Sequence, residues 1–188
     1  MSARAHTPVR LPRISPALAA RLESFRPGGF ALPSQIVAEA QAILPAYSHA
    51  LLPLLEPELS CVVEEFAEML NAGVVNPLPG VALQLRCVAL VAACAGVPAL
   101  AWSGATVRRA LVAFTFFPSA AQLVALLEEQ CGMARATHSR LRLLVAEAEQ
   151  RAAREQAQER RWAQWEQQHV ARPVYNPVDN VDCMKNPL

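Results

Sequence analysis

The placement of proline and glycine constrains this chain more than any other feature. All 15 prolines and 7 glycines of the 188 residues lie outside the stretch from Ala134 to Val170. Everything before it is punctuated every ten to fifteen residues, and the last stretch, from Ala171, is broken again by Pro173, Pro177 and Pro187. An unbroken run rich in Ala, Glu, Gln, Arg and Leu reads as one helix, about 54 Å long at 1.5 Å per residue. The fold class expected is therefore all-α: a compact helical bundle, then a long C-terminal helix and a disordered tail.

The punctuation also sets the expected organisation. Residues 1–14 read as a disordered arm rich in Pro and Arg, 15–131 as the helical bundle, 132–170 as the long helix and 171–188 as a flexible tail. Ser15-Pro16 suits a helix start, with the hydroxyl at the cap and proline in the first turn. Ser34 reads as the cap of a second helix that stops at Leu44, before Pro45. Leu59, Val62, Val63, Phe66, Met69 and Leu70 recur at three- and four-residue steps, marking an amphipathic helix that ends at Gly73. Val81 to Ala95 is apolar nearly all round, which predicts the buried centre of the domain, with Cys87 and Cys94 on one face of it. Ser103 caps a further helix. Ser119 and Gln122 have capping-box spacing ahead of Leu123, Leu126 and Leu127, and that helix is expected to stop at Cys131-Gly132.

Composition narrows the function classes. Hydrophobic residues make up 53% of the chain and the net charge is +1, so a core can form and no global field draws the chain to nucleic acid. Sixteen arginines against the single Lys185 follow the codon bias of a GC-rich genome. Five cysteines, none in a C-x-x-C pair, and four scattered histidines give neither a disulfide framework nor metal-ligand spacing. No metal or cofactor is expected. The apolar run from Cys87 to Trp102 is too short to cross a bilayer and contains Gly96 and Pro98. No secretion signal is read at the N-terminus, so a soluble cytoplasmic protein is expected.

Several side chains are candidates for function. Glu64, Glu65 and Glu68 read as a solvated acidic face rather than an acid–base pair, since nothing marks them as buried. Ser119 is a cap rather than a nucleophile. Arg135, Arg140 and Arg142, with His138, could meet phosphates, and Arg151, Arg154, Arg160 and Arg161 continue along the long helix. The glutamates interleaved with them favour a solvated mixed-charge helix over a nucleic-acid surface. Trp162 and Trp165, three residues apart on an otherwise polar helix, share one side. They either pack back on the domain or anchor a partner, flanked by Arg154 and Arg161, because aromatic residues dominate interface hot spots. Tyr175, in Tyr175-Asn176-Pro177, is a further partner-binding candidate, or part of a spacer.

The segment VPALAWSGATVRRALVAFTFFPSAAQLVALLEE resembles small helical proteins of phages and prophages, including replication accessory proteins of the helicase-loader type. Trp102, Leu111, Phe114, Phe117, Pro118, Ser119 and Leu123 carry the match: a helix ends in an aromatic, and an aromatic-Pro-Ser turn opens a capped helix. The resemblance implies a non-enzymatic adaptor that binds a protein such as a replicative helicase. With no phosphate-binding loop of the G-x-x-x-x-G-K type, the chain would not itself be an ATPase. The other expectation is a self-associating structural or assembly protein that pairs through an alanine seam in the long helix.

Overall fold

The computed structural model describes residues 9–29 and 31–170. Among these the fold is all-α: α1 (Pro16–Ser24), α2 (Ser34–Ala50), α3 (Glu56–Gly73), α4 (Gly80–Cys94), a 3-10 turn at Ala99–Ala101, α5 (Gly104–Ala113) and α6 (Ala120–Val170). The tail from Ala171, the arm before Val9 and Tyr175 fall outside the described residues. No described helix is long and apolar enough to cross a membrane.

Three helix starts follow from local chemistry. The Ser15 hydroxyl accepts from the Leu18 amide at 3.1 Å, with Pro16 in the first turn. The Ser103 hydroxyl accepts from Thr106 N at 3.3 Å. At α6 the capping box closes in both directions: Gln122 N donates to Ser119 Oγ at 3.3 Å, and Ser119 N donates to Gln122 Oε1 at 2.9 Å. Ser34, by contrast, does not cap α2. Its N-cap is Pro33, with no side-chain hydrogen bond, and the Pro33 carbonyl instead accepts from Ile36 N and Val37 N.

Pro45 does not end α2 either; the helix runs on to Ala50. The proline and Gln41, whose carbonyl loses its usual partner, are both exposed, so water can replace the missing amide. Beyond Pro45, Tyr47 and Ala50 are buried, and their burial holds the last turn in place.

Two apolar clusters hold the chain between residues 9 and 147. The larger joins α3, α4 and α5 around Val63, Phe66, Leu70, Leu90, Cys94 and Trp102, with Leu123, Leu127 and Cys131 of α6. Phe66 and Trp102 meet edge to face, with ring centroids 5.6 Å apart. The smaller joins Leu18 and Leu22 of α1 and Ala40 and Tyr47 of α2 to Leu141, Leu144 and Val145 of α6. Helix α6 therefore serves both clusters in succession.

That double duty explains why the expected break at Cys131-Gly132 is absent. Gly132 is exposed and sits inside a continuous helix. An interior glycine costs about 1 kcal/mol relative to alanine, and buried leucines on both sides outweigh that. The chain accordingly divides into compact units at residues 1–147 and 148–188, not at 131.

The expectation for α4 also fails. Only Cys87, Leu90 and Cys94 of this helix are buried, while Val81, Leu85 and Val88 stand 74%, 70% and 70% exposed. Its composition is apolar all round, but only one side has a neighbour, chiefly α3. Hydrophobicity without periodicity shows that a helix could be buried, not on how many sides it is.

Candidate protein-interaction site

In the unit from Ala148 onward, the described residues are one helical stretch built from strong helix formers: Ala, Glu, Gln and Arg. None of its side chains up to His169 is buried, and only Ala148, Arg151 and Ala157 are partly covered. Trp162 is 66% exposed and Trp165 50%. The two indoles stack, with centroids 5.2 Å apart and planes 22° from parallel. Trp165 stacks in turn on His169, at 4.3 Å and 21°. The His169 ring is held by Nδ1 against the Trp165 carbonyl oxygen at 2.8 Å.

The result is a ladder of three flat rings on a helix surface. Side-chain pairs at this spacing on an exposed helix surface contribute only about 0.2–0.5 kcal/mol each. The stacking fixes the rings without hiding them, so a large rigid apolar face stays in water. Arg161 precedes the ladder on one flank, with Arg154 two turns back; Glu159 and Glu166 lie on the other. Of the candidates read from sequence, Trp162, Trp165, Arg154 and Arg161 therefore share one part of one helix. His169 was not singled out, although its place four residues after Trp165 carried the signal.

The basic candidates are not gathered. Arg135 pairs with Glu128 two turns back, and that hydrogen bond raises its already high pKa. Its charge is thus answered within the chain. Arg140 and Arg142 are exposed. His138 lies 2.9 Å from the Ser48 hydroxyl and bridges α6 to α2; burial and then Arg142 lower its pKa. A histidine used to join two helices and kept neutral is a poor phosphate ligand.

Glu64 and Glu68 are exposed, as read, but line a groove of about 670 Å3 between α3 and α4, floored by Cys87 and Val91. Burial raises the Cys87 thiol pKa, with smaller contributions from Glu64 and Glu68. Among the described residues, no three His, Cys, Asp or Glu side chains are placed to hold a metal ion. Comparison with protein families, with curated proteins and with solved structures finds no match.

Proposed function

We propose that this chain is a non-enzymatic adaptor that binds a partner protein through the helix from Ala148 to Val170. The observation that carries the reading is the exposure of Trp162 and Trp165, stacked and rigid on an otherwise polar helix. Two exposed indoles reduce solubility, and nothing in a solvated helix requires them. Rigid aromatic rings flanked by arginines are what a protein hot spot is made of. The partner class, a replicative helicase in phage or prophage DNA replication, rests on the resemblance of residues 97–129 alone.

The test measures binding of the purified full-length chain to a purified replicative helicase from a GC-rich bacterium carrying such a prophage. Trp162→Ala with Trp165→Ala should weaken binding by about 30-fold or more, the equivalent of one hot spot of about 2 kcal/mol. Circular dichroism should stay unchanged, because neither ring is part of a buried cluster. Binding that survives the double substitution would remove these residues from the interface. A helicase that does not bind at all would remove the partner class.

A further inference from the structure

We propose that residues 148–169 pair with the same segment of a second copy of the chain, as a parallel two-stranded coiled coil. This rests on reading the helix as an interaction element, and names its partner. The ring ladder belongs to a stripe spaced alternately three and four residues apart: Ala148, Arg151, Glu155, Gln158, Trp162, Trp165 and His169. That spacing is the 3.5-residue repeat by which two helices keep one seam in contact. The alanines at 152, 153, 157 and 163 fall in no such stripe, so the seam is aromatic rather than the alanine one expected from sequence.

The flanking charges identify the second strand. With Ala148, Glu155, Trp162 and His169 at heptad position a, Arg154 and Arg161 occupy g, and Glu159 and Glu166 occupy e. In a parallel pair each g residue meets the e residue five positions further along the other strand. Arg154 then faces the partner's Glu159, and Arg161 faces the partner's Glu166. By symmetry the same two pairs form on the other side. An antiparallel pair sets g against g and e against e, bringing arginine to arginine and glutamate to glutamate. A purely acidic or basic foreign helix would be repelled by one flank. Of the four Arg and four Glu of the segment, two of each line the flanks, placed so that the helix best complements itself in one orientation.

The seam is not apolar throughout. Arg151, Glu155 and Gln158 form polar layers, which weaken a coil while restricting its register. A weak, salt-sensitive dimer follows, closed at its C-terminal end by the indoles. Because a heterologous partner would use the same rings, that partner and the second copy exclude each other.

Sedimentation equilibrium of the full chain over tens to hundreds of micromolar tests this. At low salt the wild type should approach twice the monomer mass, and 1 M salt should shift it towards monomer. E159R/E166R and R154E/R161E should each be monomeric, with helicity unchanged. An equimolar mixture of the two should regain the dimer mass, as should one chain carrying all four exchanges. Wild type that stays monomeric across the range overturns the proposal, as does E159R/E166R that dimerises as well as wild type, or a mixture that does not recover. A monomeric wild type whose helicase binding still depends on Trp162 and Trp165 would defeat the self-pairing and leave the adaptor reading standing.

Discussion

Helix α6 has two halves that look alike to a propensity scale and behave differently. Residues 120–145 place Leu123, Leu127, Cys131, Leu141 and Leu144 at successive intervals of four, four, ten and three residues, and each is essentially inaccessible to solvent. Residues 148–169 have the same helix formers and the same freedom from proline, yet none is buried. The backbone is continuous through both. Helix continuity is thus set by the absence of breakers, whereas docking is set by branched apolar side chains on one stripe. Where those leucines give way to Arg, Glu and Gln, the helix persists but the core stops.

The largest test of this contrast is truncation at the buried leucines. Leu127→Ala and Leu141→Ala should each cost about 2–5 kcal/mol in urea unfolding, since each leaves a cavity in a packed cluster. The two residues belong to different clusters, so their locations in hydrogen exchange should differ. Leu141→Ala should lower protection in α1 and α2, and Leu127→Ala in α3 and α4. Equal loss of protection everywhere would mean that α6 fuses the clusters into one cooperative unit.

The cysteines sharpen the comparison from the side of the large cluster. Burial pushes the Cys94 thiol up to about 11, while Cys61 is exposed. A folded-state pKa above the ordinary value of 9.0 means that the unfolded chain releases this proton first as pH rises. Cys94 therefore leaves stability unchanged below pH 9 and lowers it progressively between about pH 9 and 11. Cys94→Ala should flatten that part of the stability–pH curve. At pH 8 a thiol reagent should label Cys61 readily and Cys94 only on unfolding. Labelling of Cys94 at the rate of Cys61 in the folded protein would contradict its burial.

Much of the fold was legible in the sequence because caps are local. Ser15-Pro16, Ser103 and the Ser119–Gln122 pair needed only residues three positions apart, and all three form. The misreadings came from treating local breakers as decisive. Pro45 and Gly132 each weaken a helix by a bounded amount, and neither stops one that has buried side chains waiting on its far side. Helix α4 misled for the opposite reason: its composition gives no period, so only the neighbours could say that Val81, Leu85 and Val88 face water. In the second half of α6 the two indoles were legible as anomalies. Their stacking on His169 and the sorting of Arg and Glu onto opposite flanks required placing every residue on the helix surface.

Gly132 allows a smaller test of the same point. A Cβ built there meets nothing within 4 Å, and the residue is exposed within α6. Gly132→Ala should therefore stabilise the chain by roughly 0.5–1 kcal/mol, through lost freedom of the unfolded state and better helix propensity. The gain should appear as a higher urea midpoint at unchanged slope. A destabilised variant would mean that the native backbone at 132 departs from helix, and that the break read from the sequence exists after all.

The smallest expected effect divides the two halves most cleanly. Trp162→Ala with Trp165→Ala removes more apolar surface than any leucine truncation in the core, so a protein in which those rings were packed would lose several kcal/mol. Here the rings are 66% and 50% exposed and stack on each other and on His169, so the substitution removes two weak surface stacks, partly offset by the better helix propensity of alanine. Unfolding monitored by far-UV circular dichroism, at a concentration low enough to keep the chain monomeric, should shift by no more than about 0.5 kcal/mol. At high concentration the same substitution should lower stability further, because a second copy that binds only the folded helix stabilises it by mass action. A concentration-independent loss of several kcal/mol would place the indoles in the core and return the second half of α6 to the rule that governs the first.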